Sequence, residues 1–422
     1  MKDAVEPPDP LLTALDDSQV HLVDLTLDLL SYDTQNPPGQ TDAAISFVEE
    51  YLEDAGIDTR TVAADGDKPN LLARVPGANE DPFVFNGHLD TVPFDAEQWT
   101  HDPLGERHEG RLYGRGATDM KGPLASMIET MVAFAETGVR PPSDLVLALV
   151  SDEEVPSDVG VEALVDGGLL ENGVCVIGET TCDGQRFSVS VADKGSIWLS
   201  LEAEGSAAHG SRPMAGENAI DSLYGAITDL RETLSKSAFQ IPPAVEEIVS
   251  ESIEYYESTL GRETASRLFR YPTVNLGTLE GGQSVNTVPE RATASIDIRI
   301  TPGIDTRGVL GDVRSCLEEH DAVDITETDW SQGTFEEPDS PLVMATKASA
   351  EAVLDTTVSK RCATGGGDAK TLRNSGVSTV EFGVGSGTAH GVDEYIPVSA
   401  LLENARIYAT IPFAYAARQE KG

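Results

Sequence analysis

Four short apolar runs in this chain each lead to an acidic residue or a histidine. The segments are FVFNGHLD with His88 and Asp90, LVLALVSDEE with Glu153 and Glu154, VCVIGE with Glu179, and VEFGVGSGTAH with His390. Short apolar runs of this kind predict buried strands. In an open α/β sheet, ligands bind beyond the carboxyl ends of the strands, so we expect these side chains to meet at one site.

A further candidate, Asp119, stands at the start of the helix-like run DMKGPLASMIETMVAF. The glycines of the preceding GRGAT permit a sharp turn, and a carboxylate held there could bridge two ions about 3.5 to 4 Å apart. The alternative for Asp119 alone is a helix N-cap. Two histidines and three carboxylates form a donor set that zinc accepts, and they include too many carboxylates for one four-coordinate ion. The pattern therefore predicts a two-metal hydrolase site.

Two more carboxylates accompany the predicted ligands. Asp90 follows His88 by two residues, so it can fix the tautomer of a metal-binding imidazole, although the pair alone could be a core histidine with a capping aspartate. Glu153 and Glu154 are adjacent and point in opposite directions in an extended segment, so one can bind metal while the other faces water. Alone, they would be solvated surface acids. Their joint placement at strand ends favours the metal site.

The charge balance excludes one class of partner. The chain has 422 residues with 72 acids against 29 bases, for a formal charge of −43. Nucleic acid is therefore not an expected partner. The acids are dispersed between periodic apolar segments, which favours a solvated globular surface over disorder. A halophilic source explains such a charge, because the Debye length is only about 3 Å at 1 M salt.

This charge predicts that the protein unfolds more readily when salt is removed. Self-repulsion among the uncompensated acids is screened at molar salt and grows as salt is diluted. We expect the melting temperature, followed by circular dichroism, to fall as KCl is lowered from about 1 M to about 0.1 M. A melting temperature that does not change with KCl would contradict this explanation of the charge.

Cysteine usage and hydropathy predict a soluble, cytoplasmic protein with no membrane partner. The four cysteines form no C-x-x-C pair and no dense framework, which is typical of reduced thiols. The amino-terminal segment MKDAVEPPDP has no apolar core of a signal peptide. No run approaches the roughly 18 apolar residues of a membrane span.

The hydrophobic pattern changes twice along the chain. Strand runs alternate with helix-like stretches up to about residue 193, as in a mostly parallel sheet that is covered on both faces. From Lys194 the segments SIWLSLEAEG and ATASIDIRI alternate apolar and polar residues, which predicts an antiparallel α+β unit. The first pattern resumes after about residue 335. We therefore predict an α/β catalytic domain of residues 1–193 and 335–422, with an inserted α+β domain of residues 194–334.

A glycine-rich segment, GGGDA, precedes a helix-like run. Gly366 and Gly367 in this segment can leave backbone amides free to form an anion-binding nest, which could receive a substrate carboxylate. The alternative, a nucleotide-phosphate loop, lacks the following Lys-Ser or Lys-Thr. The glycines are therefore candidate substrate-binding residues.

The order and the amino-acid sequences of these segments resemble those of the M20 metallopeptidase family, which includes acetylornithine deacetylase, succinyl-diaminopimelate desuccinylase, aminoacylase and carboxypeptidase G. The resemblance covers nearly the whole chain. It is carried by GHLDTVP at 87–93, LYGRGATDMKG at 112–122, SDEE at 151–154, GE at 178–179, GSAAHGSRPMAGENAI at 205–220, GGQSVNTVPERATASIDIR at 281–299 and AHGVDE at 389–394.

The resemblance implies roles for the catalytic residues. It assigns one zinc to His88 and Glu179, the other to Glu154 and His390, and a bridging position to Asp119. Cobalt and manganese are alternatives to zinc. The resemblance further makes Glu153 the general base and later acid, with Asp90 orienting His88.

The inserted domain would be a lid that forms a homodimer. By resemblance, His209 reaches the active site of the partner subunit and stabilises the oxyanion. Asn286 and Arg299 resemble residues that bind the substrate carbonyl and carboxylate. For Arg299 the alternative is a cation on a strand face that pairs with one of the many acids.

Three functions are compatible with the sequence. The leading hypothesis is hydrolysis of the amide bond of a small N-acyl amino acid. A metallo-carboxypeptidase or dipeptidase would use the same metals and base on another substrate, a short peptide. A non-enzymatic metal-binding or partner-binding module is the third possibility. Glu153 disfavours it, because a scaffold would not need a free carboxylate beside a full ligand set.

Overall fold

The computed structural model describes residues 5–420, and for residues 63–65 only the backbone. The α-helices in chain order are α1 (Asp9–Asp17), α2 (Gln19–Ser31), α3 (Asp42–Asp54), α4 (Gly122–Thr137), α5 (Val161–Asp166), α6 (Ala219–Lys236), α7 (Pro243–Leu260), α8 (Arg262–Arg270), α9 (Thr306–Leu317), α10 (Pro341–Leu354), α11 (Asp368–Asn374) and α12 (Val398–Gln419).

The strands in chain order are β1 (Asp58–Asp65), β2 (Lys68–Val75), β3 (Phe83–His88), β4 (Glu106–His108), β5 (Arg111–Tyr113), β6 (Leu145–Val150), β7 (Val174–Ile177), β8 (Ser188–Asp193), β9 (Gly195–Glu204), β10 (Thr273–Gly281), β11 (Arg291–Ile300), β12 (Val323–Ser331), β13 (Thr334–Phe335), β14 (Ser359–Ala363), β15 (Ser378–Glu381) and β16 (Tyr395–Pro397).

The chain folds into two compact units. The first unit contains residues 5–191, 336–361 and 367–420, and the second contains residues 192–335 and 362–366. Residues 362–366 thus group with the second unit, whereas the sequence assigns them to the catalytic domain.

A mostly parallel sheet forms the centre of the first unit. Its strands run in the order β1, β2, β6, β3, β7, β15, β8. Strands β6, β3, β7 and β15 are parallel to one another, and the strands on either side of this group are antiparallel to it. Each of the four apolar runs singled out in the sequence contains or overlaps one of these four parallel strands.

Helices cover both faces of this sheet, which explains why its parallel strands are mostly apolar. Phe83 and Phe85 face α12, where their rings lie 5.8 Å from Tyr415 and 5.6 Å from Tyr408 between centroids. Val84, between them, points to the opposite face and packs in a cluster with buried residues of α5 and α11. The two-sided burial is the expected result for parallel strands.

The second unit contains an antiparallel sheet in the order β10, β11, β9, β12. Alternate residues of β9 and β11 are buried against α6 and α9, in a core that includes Ile197, Leu201, Leu230 and Ile298. The intervening residues are polar except for Trp198, as period-two alternation predicts. The predicted fold class, a parallel-sheet α/β domain with an inserted α+β domain, is confirmed.

Within residues 5–420, none of the helices combines the length and the apolar character that crossing a membrane requires.

Candidate active site

The parallel strands of the first unit bring the predicted ligands to one edge of the sheet. His88 is the last residue of β3, and Glu179 follows β7 by two residues. Glu153 and Glu154 lie in the loop after β6, and His390 lies in the loop between β15 and β16. The carboxyl ends of parallel neighbours share an edge, so their loops converge as the sequence predicts.

Three of the side chains, His88, Asp119 and Glu179, form a group that could hold a metal ion and is called here the first ligand group. His88 Nε2 lies 3.3 Å from Asp119 Oδ1 and 3.2 Å from Glu179 Oε1. The imidazole is 1% exposed, whereas the carboxylate of Glu179 is 26% exposed. The group is therefore anchored by a buried histidine and opens to solvent at the glutamate.

The second ligand group consists of Asp119, Glu154 and His390. His390 Nε2 lies 3.1 Å from Asp119 Oδ2 and 3.3 Å from Glu154 Oε2. Asp119 thus presents one carboxylate oxygen to each group. A carboxylate in this position could bridge two cations.

Two glycines allow Asp119 to come between the strand ends. A Cβ atom on Gly87 would lie 2.7 Å from the Met120 methyl carbon, and one on Gly178 would lie 2.6 Å from the same atom. These glycines directly precede His88 and Glu179. Because they lack side chains, Met120 packs against both strands, and its neighbour Asp119 reaches both histidines.

Asp90 fixes the ring of His88 and also shapes the loop after β6. His88 Nδ1 lies 2.9 Å from the backbone oxygen of Asp90 and 3.3 Å from its Oδ1, so Nδ1 carries the proton and Nε2 is free to bind metal. The Asp90 carboxylate accepts hydrogen bonds from the backbone N–H groups of Glu153 and Glu154, each at 3.1 Å. One carboxylate therefore orients a histidine and holds the two glutamates.

A polar network behind Asp90 was not identified from the sequence. Asn36 Nδ2 donates to Asp90 Oδ2 at 2.7 Å and also to Asp152. Lys68 forms an ion pair with Asp152 at 2.9 Å, between Nζ and Oδ1. These side chains are distant in sequence, and no local pattern marks Asn36 as their connection.

The charges of the two groups interact strongly. Burial alone would lower the pKa of His88, but its hydrogen bonds with Asp119, Asp90 and Glu179 raise that pKa well above its usual value. Hydrogen bonds with Asp119 and Glu154 raise the pKa of His390 to about 10. Burial, and then the charge of Asp119, raise the pKa of Glu179 to about 7. Carboxylates are thus crowded beyond what two histidines neutralise, a setting that favours added positive charge.

Glu153 belongs to neither ligand group. Burial raises the pKa of its carboxyl well above the usual value, against the opposing charge of His88 and with support from the negative charge of Asp368. A Cβ atom on Gly367 would lie 2.5 Å from Glu153 Oε1. The missing side chain of Gly367 therefore provides the space that the Glu153 carboxylate occupies.

Replacing Gly367 by alanine is expected to displace the Glu153 carboxylate without unfolding the protein. The backbone at Gly367 is extended, with φ −152° and ψ −154°, so alanine introduces no strain there. A misplacement of about 1 Å can lower turnover about 10²-fold. We expect kcat to fall by that order while metal content and melting temperature stay unchanged.

Gly365→Ala is the matched control, because a Cβ atom there meets nothing within 4 Å. Unchanged kcat in Gly367→Ala would show that the position of the Glu153 carboxylate does not depend on Gly367.

The second unit holds the remaining predicted residues, two of which lie in adjoining loops. Gly210 N donates to the backbone oxygen of Asn286 at 2.6 Å, and His209 pairs with Thr287 in an isolated bridge. Ser211 Oγ lies 2.8 Å from His209 Nδ1. His209 and Asn286 thus share one loop pair.

Arg299 has local partners within the second unit. Its Nε lies 2.8 Å from Asp297 Oδ1, and its guanidinium carbon lies 5.7 Å from the centroid of the Trp198 ring. This is the ion pair that the sequence offered as the alternative for Arg299. Of the two candidate glycines, Gly366 belongs to the second unit and Gly367 to the first.

Comparison with known proteins identifies the family. Residues 84–413 match the profile of peptidase family M20/M25/M40. The chain belongs to this family. As an M20 protein it is a hydrolase that acts on amide bonds.

Relatives of this M20 protein cover nearly its full length. It is 30% identical over 408 residues to a succinyl-diaminopimelate desuccinylase of Cereibacter sphaeroides, covering 92% of this chain and 97% of the relative. It is 29% identical over 382 residues to the protein of that name from Paracoccus denitrificans, with 87% and 92% covered.

Solved structures of the M20 family share its fold. A metallo-carboxypeptidase from Sulfolobus solfataricus has a TM-score of 0.78 at 19% identity, covering 94% of this chain and 99% of the other. Human carnosine dipeptidase 1 has a TM-score of 0.71 at 18% identity, with 97% and 100% covered. A Bacillus subtilis protein described as a dinuclear metal binding peptidase has a TM-score of 0.66 at 14% identity, with 96% and 99% covered.

Proposed function

We propose that this protein hydrolyses the amide bond of small N-acyl amino acids, using two divalent metal ions held by the two ligand groups. The observation that carries the proposal is Asp119, which directs Oδ1 to His88 and Oδ2 to His390. A carboxylate in this position suits a pair of cations about 3.5 to 4 Å apart. The pair is proposed to be zinc, with cobalt or manganese as alternatives.

The donor atoms fit this assignment. Glu154 Oε1 is buried and has no hydrogen-bond partner among residues 5–420, although its companion Oε2 faces His390. An unpaired buried carboxylate oxygen is costly, and a cation would satisfy it. Imidazole nitrogen and carboxylate oxygen are the donors that zinc takes in catalytic sites.

Glu153 supplies the proton transfers. Bound metal ions would lower the pKa of a water molecule and polarise the substrate carbonyl. The Glu153 carboxylate accepts the proton of the attacking water and later donates it to the departing amine nitrogen. Asp90 keeps Glu153 in reach by accepting the hydrogen bond from its backbone N–H.

The residues of the second unit complete the proposal. His209 would stabilise the oxyanion in the active site of the partner subunit of a homodimer, and Asn286 and Arg299 would bind the substrate carbonyl and carboxylate. Gly366 and Gly367 would receive a substrate carboxylate through their backbone amides. A cytoplasmic location remains part of this prediction.

Two observations bear on the substrate. Full-length relatives are named succinyl-diaminopimelate desuccinylase, which supports an acyl-amino acid. A similar fold is found in a metallo-carboxypeptidase and a dipeptidase, which supports a short peptide as the alternative. Both reactions cleave an amide bond, so the acyl group distinguishes them.

The test is a substrate panel with metal-stripped protein in high KCl, to which zinc, cobalt or manganese is returned. The panel contains succinyl-diaminopimelate, acetyl-ornithine, other acyl-amino acids and dipeptides. We expect metal-dependent release of free amine from an acyl-amino acid. Cleavage of dipeptides alone would replace this function by the peptidase alternative, and metal-independent turnover would overturn the proposal.

A further inference from the structure

A buried ion pair outside the ligand groups joins the two loops that carry Asp119 and His390. Arg115 Nη1 lies 2.6 Å from Glu394 Oε2, and the two side chains are 5% and 0% exposed. Arg115 precedes the 117–121 segment, which contains Asp119, and Glu394 follows His390 just before β16. Neither side chain lies in the ligand groups.

Glu394 holds the backbone at Asp119. Its Oε1 accepts hydrogen bonds from the N–H groups of Thr118 at 3.0 Å and Asp119 at 3.1 Å. The backbone of Asp119 is not helical, with φ −130° and ψ 88°, so the following helix does not fix its direction. The Glu394 carboxylate fixes the direction of the Asp119 backbone instead.

Arg115 holds the backbone at His390. Its Nη2 donates to the backbone oxygen of His390 at 3.3 Å. His390 has a φ of 62°, a left-handed conformation that a non-glycine residue adopts only where its surroundings fix it. One guanidinium therefore contacts Glu394 and His390, and through Glu394 it is linked to Asp119.

The pair is poorly suited to a purely stabilising role. Arg115 Nε is buried and has no hydrogen-bond partner in the described part of the chain. Burying two charges costs desolvation, and apolar residues of similar volume often serve stability as well or better. What apolar residues cannot replace is the set of hydrogen bonds to the two loops.

We propose that Arg115 and Glu394 are positioning residues that set the spacing between Asp119 and His390 and thereby the metal affinity of the second ligand group. The inference rests on the proposed two-metal function. Partners that orient metal ligands typically change metal affinity about 10- to 100-fold when they are removed. The second group should be affected most, because both of the held residues belong to it.

The first experiment compares three variants by titrating metal-free protein with Co²⁺ against a chelating indicator and recording the Co²⁺ absorption spectrum. Arg115→Lys keeps the charge beside Glu394 but lacks the fork that also reaches His390, so we expect one of the two binding steps to lose affinity, about 10-fold, while the other keeps its wild-type affinity. Glu394→Ala also removes the hydrogen bonds to the backbone at Asp119, so both binding steps should lose affinity.

Asp144→Asn is the matched control. Asp144 is also a buried carboxylate that pairs with an arginine, Arg74, and accepts a backbone hydrogen bond, from Gly77 N at 2.7 Å. Asp144 directly precedes β6, at the end of that strand opposite to the loop with Glu153 and Glu154. We expect it to lower the melting temperature while both Co²⁺ affinities stay at the wild-type value.

The double variant Arg115→Met with Glu394→Met separates positioning from stability. An apolar pair can restore stability but cannot accept from Asp119 or donate to His390. The backbone N–H groups of Thr118 and Asp119 lose their acceptor in both variants, but the double variant leaves no unpaired buried charge. We therefore expect the metal-free double variant to melt at a higher temperature than Glu394→Ala, with Co²⁺ binding weakened as much. This variant also provides a test if Glu394→Ala fails to fold.

The outcomes distinguish this inference from the proposed function. Wild-type protein that binds fewer than two Co²⁺ ions would overturn both. Wild-type protein that binds two ions, with unchanged affinities and spectra in Arg115→Lys and the double variant, would overturn the positioning role alone.

Discussion

Replacing Glu153 by glutamine is expected to lower turnover about 10²- to 10⁴-fold, the usual contribution of a general acid and base. Glutamine keeps the size of the side chain but cannot accept the proton of the attacking water. The Glu153 backbone N–H still donates to Asp90, so the loop is retained. Two metal ions per chain and an unchanged melting temperature should accompany the loss.

The measurements are kcat on the best substrate of the panel and metal content by elemental analysis. Glu50→Gln, at an exposed position of α3, controls for the loss of one negative charge. Wild-type turnover in Glu153→Gln would remove Glu153 from the reaction, whereas lost metal would make it a ligand.

Replacing Asp119 by alanine is expected to weaken the binding of both metal ions at once and to reduce activity to background. Each ligand group loses one of its three side chains, because Asp119 is their shared member. Metal that binds the folded state raises its stability in proportion to the logarithm of the free concentration above Kd. The melting temperature of Asp119→Ala should therefore respond little to zinc that stabilises the wild type.

His390→Ala provides a graded comparison, since His390 belongs only to the second group. It should keep one ion per chain, and Asp24→Ala, at an exposed position of α2, should keep two. Retention of two ions by Asp119→Ala would exclude the bridging role.

The parallel strands could be recognised from sequence because burial on both faces leaves a local pattern. Runs such as LVLALV and VCVI are apolar throughout and are followed by a polar residue within two positions, and runs of this kind lie in β3, β6, β7 and β15. The antiparallel strands β1 and β2 were not predicted, because the polar residues of DTRTVAAD and KPNLLARV obscure that pattern. The helical spacing of residues 159–170 predicts a longer helix than α5, which covers only Val161–Asp166 because Gly167 and Gly168 follow it.

Only part of the candidate site could likewise be predicted from the sequence. Residues that follow apolar strands could be expected to converge, and the ligand atoms of each group lie within 4.8 Å of one another. The supporting partners could not be found, because their hydrogen bonds join distant segments: Asn36 to Asp90, and Arg115 to Glu394. Arg115 and Glu394 stand inside the motifs GRGATD and AHGVDE, but no spacing rule indicates that they pair.

The order of the ligands along the chain has a consequence for biosynthesis. His88, Asp119 and Glu179 all leave the ribosome before the second unit is made, whereas His390 emerges only after the chain has returned from that unit. A nascent chain thus possesses every side chain of one cation position long before it can complete the other. The second ligand group is therefore completed last, when the segment that contains His390 has been synthesised.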